Sequence, residues 1–474
     1  MALAVSPSGD AHKKNGCIGL IASVQWFLWV LLAAVAGLGP WLFGAWEMWW
    51  FWPFAGMLAM AVAVAGLLVL LGGVPSSAIN PWRVRGLLVL PFLAYAIWSG
   101  WQSPVFMDAE RAVLLHLSGV TVAVLVAICL NPIQQAWLFK FLFCSLAAMA
   151  GYGVVNHLVW ESRLVLWMPR YDQYAGRATG CYYCPDHFSG AMELLFCISA
   201  GILLDRASRG WFWRSLASVA GVLAVVGVLL SKSRGGGATL VVLCGVILVW
   251  GFVQWPPQVR WSWRLVMVSG SLLMLGAALM CYPIYGTRFV TYGGLHLVNS
   301  TQAQPVKEQI IYKLQRTCRG RMFAGAWRAW KQSPWQGIGA GMHQHLWPQV
   351  AASTDGDRDG CVWPTLVNDE FHSYEVHGDW LQLLEEYGVI GFSLFLAPFF
   401  GLVAWLRQRL RQESEAWQWD ATRGRFPFSF SAWLALAAMT FHSLGDFNLQ
   451  MPGTTWILAA LLGCGVVAGR EQRV

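Results

Sequence analysis

The sequence predicts an all-α polytopic membrane protein of about 12 transmembrane helices, with one large, partly helical loop on its outer face. Three observations predict it. Of 474 residues, 57% are hydrophobic and 12% charged, with 30 tryptophans and a mean hydropathy of +0.50, too few polar side chains to cover a soluble globule of this size. Apolar runs of about 17 to 25 residues, enough to cross a hydrocarbon core of about 30 Å, recur along the chain. The basic residues behind the net charge of +8 gather in alternate connections between those runs, as membrane topology requires and a nucleic-acid surface does not.

The runs cover residues 18–39, 49–72, 85–101, 112–130, 136–159, 187–204, 212–230, 236–255, 264–282, 380–406, 427–446 and 453–469. With the N-terminus inside, the inner segments hold 17 of the 32 lysines and arginines; the short outer segments hold only Arg111, Arg163, Arg170, Arg177, Lys232 and Arg234. Both termini are then cytoplasmic. The first run is too long for a cleavable signal peptide, whose apolar region is about 7 to 15 residues, so it reads as a retained anchor. The chain divides into nine helices over 1–282, a loop over 283–378 and three helices over 379–474, together one membrane domain. It contains no internal repeat and no phosphate-cradling GxxxxGK[ST] or GxGxxG unit.

A loop near a hundred residues long carries structure of its own. Within it, Phe323, Ala326, Trp327 and Trp330 recur at i, i+3, i+4 and i+7, a tryptophan-rich helical face suited to the membrane interface. Arg319 falls near that face while Arg321 and Arg328 point the other way, so Arg319 is the arginine expected to look into the protein. Pro334 ends the helix, and Gly337-Ile338-Gly339-Ala340-Gly341 supplies a turn in which backbone can approach a ligand.

The loop closes on Glu375 to Gly391, where polar residues enter a long apolar helix. Asp379 and Gln382 have the spacing of a capping box, which places His377 just outside the helix mouth. A histidine there, beside Gly378, can take a proton from a hydroxyl; the plainer alternative is that Asp379 only caps and His377 only faces water.

Ser231-Lys232-Ser233-Arg234-Gly235-Gly236-Gly237 sets two cations and three glycines at the outer mouth of two helices. An arginine fork binds phosphate oxygens bidentately and the glycines expose N–H groups at a helix start, both favouring an anion; snorkelling to lipid headgroups is the alternative. Two more outer clusters are Asp186-His187 with Glu193, and His442 with Asp446 and Asn448. Ionisable groups at this depth mark a site or lock helix ends by hydrogen bonding, and the sequence leaves both open.

Of 11 cysteines, only Cys181, Cys184, Cys318 and Cys361 map to outer loops, where disulfides such as Cys318–Cys361 are permitted. Cys181-Tyr-Tyr-Cys184 lacks the second pair a zinc site would need, so neither metal nor cofactor is expected.

These segments resemble the O-antigen ligase and O-antigen polymerase superfamily of bacterial envelope glycosyltransferases. Ser233-Arg234-Gly235 is similar to the family's Ser-Arg-Gly turn, with Ala238 where leucine is usual. Arg319 to Gly341 looks like its arginine, helix, proline, Gly-x-Gly pattern. His377-Gly378 followed by Gly388-Val389-Ile390-Gly391 fits the ligase histidine motif, with Gly378 where Asn, Ser or Gln is usual. Ala178 to Phe188 and Phe441 to Asn448 resemble a branch found with exopolysaccharide systems.

The resemblance implies a metal-independent, inverting glycosyltransferase of the bacterial inner membrane that needs no nucleotide. It would take a glycan from undecaprenyl diphosphate at a periplasmic site, with lipid A core or another glycan as acceptor and membrane lipids around it. The expected roles are His377 as base, Asp379 orienting it or capping its helix, and Arg234 and Arg319, with Arg321 as substitute, holding the diphosphate. Asp186, His187, His442 and Asp446 would line the site. The rivals are a polymerase of carrier-linked repeats, a lipid-linked sugar transporter or flippase, and a structural scaffold. Against the transporter, ionisable residues gather at one face instead of the midplane.

Overall fold

The computed structural model describes residues 8–170, 174, 176–205, 210–254, 318–352, 373–419 and 426–467. The helices are α1 (Ser8–Ala33), α2 (Met48–Leu70), α3 (Ser76–Gln102), α4 (Phe106–Cys129), α5 (Pro132–Trp160), α6 (Pro185–Leu204), α7 (Trp211–Ser231) and α8 (Arg234–Gln254). Within the segment expected as the loop lie α9 (Cys318–Gln332) and α10 (His343–Ala352), and after it come α11 (Asp379–Trp419), α12 (Phe426–His442) and α13 (Pro452–Val466). Among the described residues, the sheet structure is one two-stranded ribbon, in which β1 (Leu164–Val165) pairs antiparallel with β2 (Met168–Pro169).

Among the described residues, eight helices are long and apolar enough to cross a membrane: Gly19–Trp41, which extends from α1, then α2, α4 to α7, most of α8, and Asp379–Glu413 of α11. The expected spans at 85–101, 427–446 and 453–469 coincide with α3, α12 and α13, which are helical but fall outside that set. The expected span at 264–282 lies outside the described residues. Outward faces of the helices are apolar, with Leu70 86% and Trp101 76% exposed, the surface that hydrocarbon rather than water covers.

Helix α6 is the centre of the bundle, packed against α7 and α12, while α13 lies between α4 and α12. Small residues permit the close approach: a Cβ on Gly201 of α6 would sit 2.1 Å from the Ser431 hydroxyl of α12, and one on Gly465 of α13 would sit 2.3 Å from Ala432. Because neighbouring helices alternate in direction, the starts of α4, α6, α8, α11 and α13 meet the ends of α3, α5, α7 and α12 at one face. Contacts join them there, as between Ala178 N and Leu230 O (2.9 Å), Asp379 N and Asp446 O (3.2 Å), and Ser103 Oγ and Ala340 O (3.3 Å).

Two expectations about the loop need correction. On α9 the buried stripe is Met322, Ala326 and Ala329, with Trp327 44% exposed, so the inward face lies one residue from the tryptophan face expected. Packing chose it. A Cβ on Gly325 would meet Trp347 of α10 at 2.7 Å, and only small residues allow that approach. In the turn at 337–341, Gly337 and Gly339 are packed against protein rather than held open for a ligand, while Gly341 borders a cavity. The turn is spliced onto α11 at Gly388 (φ 63°, ψ −172°), with Ile338 N and Gly339 N donating to the carbonyls of Glu385 and Glu386 while Val389 N and Ile390 N donate to those of Pro334 and Trp335. A Cβ on Gly337 would meet Glu386 O at 2.2 Å, and one on Gly388 would meet Trp335 O at 2.4 Å, so both positions need glycine.

Candidate functional site

The two outer clusters of the sequence form one site around Asp446, which stands in the turn between α12 and α13 with its side chain 1% exposed. Four basic side chains surround it. Arg319 Nη2 lies 3.5 Å and His442 Nε2 3.6 Å from Oδ2; His377 Nδ1 lies 3.7 Å and His187 Nε2 3.9 Å from Oδ1. At these lengths the histidine contacts are too long for direct hydrogen bonds, and His377 Nδ1 and His187 Nε2 lack a hydrogen-bond partner among the described residues. Phe447 presents a shared aromatic wall, its ring centre 4.4 Å from that of His187 and 4.6 Å from that of His377.

Further charged side chains pack behind these. Arg319 Nη2 also reaches Asp186 Oδ2 at 3.4 Å, and Arg177 donates to Asp186 Oδ1 at 2.8 Å and through Nε to Ser231 O at 2.7 Å. Beneath, His442 Nδ1 lies 2.8 Å from Glu193 Oε1, both side chains fully buried. Burial alone would push the Asp446 carboxyl up and keep its proton on, but His377, His442 and Arg319 outweigh it and hold the carboxyl well below the usual carboxylate range. Burial likewise opposes the charge on Arg319, and Asp446 and Asp186 outweigh it, raising that group above its ordinary value.

Local chain geometry explains how each group arrives. His377 has φ 59°, the left-handed region that only an over-determined residue with a side chain keeps, and the next residue is wedged: a Cβ on Gly378 would touch Phe323 Cε1 at 3.2 Å. Gly378 thus fits the packing under α9. In the Ser-Arg-Gly turn, Ser233 caps α8 by accepting from Gly236 N at 3.2 Å. A Cβ on Gly235 would lie 2.8 Å from His442 Nε2, and one on Gly236 would lie 1.7 Å from Ser189 Oγ. Two of the three glycines are therefore required by helix packing against the site.

Arg319 and His377 converge on one carboxylate. Arg234 is the first residue of α8, exposed, in the turn whose next residue abuts His442; Arg321 is half-buried on α9. Asp379 corrects the expected capping role. It is the first residue of α11, and its Oδ2 accepts from the Ser443 hydroxyl at 2.6 Å and from Leu449 N at 3.1 Å. Its carboxylate clamps the turn that carries Asp446. Gln382 sends Oε1 back to Val376 N at 3.1 Å, so the half of the box that survives fixes the residue before His377.

Cys181 and Cys184 are both free, and Cys361 lies outside the described residues. Burial, then Asp186 and Asp446, push the Cys184 thiol up to about 12, opposite to the shift of a reactive cysteine. Arg177 and Phe447 were missed as site residues. Phe447 gives no sequence signal beyond its place beside Asp446, and Arg177 reads only as one more outer cation. Among the described residues, no group of three or more His, Cys, Asp or Glu side chains has the geometry to hold a metal ion.

No protein-family model matches the chain, and no curated protein matches it significantly.

Proposed function

We propose that this protein is a membrane glycosyltransferase that moves a glycan from undecaprenyl diphosphate to a hydroxyl acceptor, of the O-antigen ligase or polymerase type, with its site on the periplasmic face. The observation that carries the reading is the convergence of His377, Arg319 and His442 on buried Asp446, from segments far apart in the chain. In-line transfer needs a base near the acceptor hydroxyl and cations near the leaving diphosphate, and this arrangement supplies candidates for both.

In this reading Asp446, not Asp379, orients His377 and stabilises its cation. The acceptor oxygen attacks the anomeric carbon as His377 takes its proton, the bond from that carbon to the diphosphate oxygen breaks, and the anomeric configuration inverts. Arg319 and the exposed Arg234 meet the charge that develops on the leaving diphosphate. Arg319 is already shared between two carboxylates, so the diphosphate competes with Asp186 for its donors.

Purified protein incubated with an undecaprenyl diphosphate-linked glycan tests this. Longer carrier-linked chains from the donor alone identify a polymerase, and transfer only on adding lipid A core identifies a ligase. His377→Ala is expected to abolish either product while the protein stays folded and inserted. Normal product from that variant removes the histidine from the mechanism, and lipid-linked sugar crossing liposomes without new glycosidic bonds replaces the reading with transport.

A further inference from the structure

A cavity opens on the same face, separated from His377 by the aromatic wall. Trp46 packs on Phe447 at 6.0 Å between ring centres, and the cavity lies against Trp46, Asp108, Arg111, Glu375, Gln382, Glu386 and Gln450. Two of the chain segments that build the Asp446 site also line it, since Glu375 precedes His377 by two residues and Gln450 follows Asp446 by four.

The lining is cross-braced in its present form. Gln382 Nε2 donates to Glu375 Oε2 and to Glu386 Oε1 (3.2 Å), Glu386 Oε2 accepts from Gly341 N (3.0 Å), and the Arg111 guanidinium lies 4.3 Å from the centre of the Trp46 ring while donating to the Trp46 carbonyl. Gly341 (φ 69°) is pressed against α4, where a Cβ would meet Asp108 O at 2.7 Å, which holds this wall in place. Donors from arginine and glutamine therefore alternate with carboxylate and amide acceptors beside an indole and the apolar Phe51 and Pro452.

We infer that this cavity is a sugar subsite, taking a neutral or amine-bearing, hydroxyl-rich ring, and that it seats the acceptor sugar. Sugar hydroxyls each donate and accept, which suits alternating partners, and an aromatic wall suits the apolar face of the ring. Three carboxylates, Asp108, Glu375 and Glu386, against one arginine disfavour phosphate and uronate. The diphosphate of the donor belongs instead beside Arg319 and Arg234, which leaves the acceptor for the acidic side. The acceptor assignment rests on the transfer reading above; the binding of a sugar does not.

Saturation-transfer difference NMR on the detergent-solubilised full chain tests it, with methyl α-glucopyranoside and methyl β-galactopyranoside as probes and methyl glucuronide and inorganic pyrophosphate as comparators. Saturation of a neutral glycoside is expected at millimolar concentration, with the glucuronide weaker and pyrophosphate unable to compete. Glu375→Leu and the half-buried Gln450→Ala should each weaken the signal about tenfold, the cost of an unpaired hydrogen-bonding group. Absence of saturation in the parent protein, competition by pyrophosphate, or full signal in folded Gln450→Ala overturns the subsite. A glycoside that binds here in a protein giving no transfer keeps the sugar site and removes its acceptor role.

Discussion

The Nδ1 atom of His377 lies 3.7 Å from the Oδ1 atom of Asp446, although 68 residues separate them in the chain. That approach makes Asp446 the residue placed to fix the orientation of the imidazole. It also assigns Asp379 the task of holding the turn on which Asp446 stands.

Asp446→Asn should lower glycan transfer by about a hundredfold or more while retaining the shape of the turn. The amide keeps the volume and loses the charge facing four basic side chains. Transfer rates in purified protein, with thermal unfolding as the control for folding, check this. Because its carboxyl is held well below the usual range, Asp446 contributes stability above the unfolded carboxyl value of about 3.9, lost only as pH falls through its depressed folded value. An acid limb of activity near neutral pH therefore belongs to another group.

Arg319 has a structural and a catalytic task that two substitutions separate. Arg319→Ala leaves Asp186 and Asp446 without the cation they share and should destabilise the protein by on the order of 3 kcal/mol. Arg319→Lys should restore most of that stability but not transfer, because an ammonium cannot hold two carboxylates and a diphosphate at once. Parallel thermal unfolding and transfer assays read the split.

Gly236→Ala should destabilise by about 1–3 kcal/mol, since the new methyl would lie 1.7 Å from Ser189 Oγ. Adding Ser189→Ala removes that oxygen and should recover part of the loss. Recovery shows that Gly236 serves helix packing; no destabilisation in the single variant would show that α6 and α8 stand further apart.

Glu375 supplies a pH prediction. Burial, more than any neighbour, raises its carboxyl above the ordinary value, with Gln382 and Arg111 pulling the other way. A raised folded value means that stability present below the unfolded value of about 4.3 is lost as pH rises through the folded one. Glu375→Gln should therefore gain in unfolding temperature relative to the parent as pH rises from about 4.3 toward neutrality. Parallel unfolding curves at both ends of that range would contradict it.

Much of the site was legible because ionisable residues are rare in so apolar a chain. His187, Asp186, His442 and Asp446 stand out at the ends of apolar runs, and all four are in the cluster. Nothing local to the chain sets a register between them, so two clusters read as separate. Helical periodicity placed Arg319 on the inward side of α9 correctly but chose a tryptophan face for the buried one, because periodicity ranks hydrophobicity while packing against Trp347 selects for small size. Glu386, an acid inside an apolar helix, was a signal of the neighbouring cavity that the capping pattern at Asp379 obscured.

The sequence by itself determined that the chain is a helical membrane protein, where most of its helices run, and which polar residues lie at their ends, because hydrophobic length and charge position are local properties. Tertiary structure alone decided that Asp446 rather than Asp379 faces His377, that the glycine turn at 337–341 splices into α11, and that small residues bring α6, α8 and α12 together around the site. Those relationships depend on contacts between segments up to hundreds of residues apart, where steric fit and charge pairing act in space and leave no period in the chain.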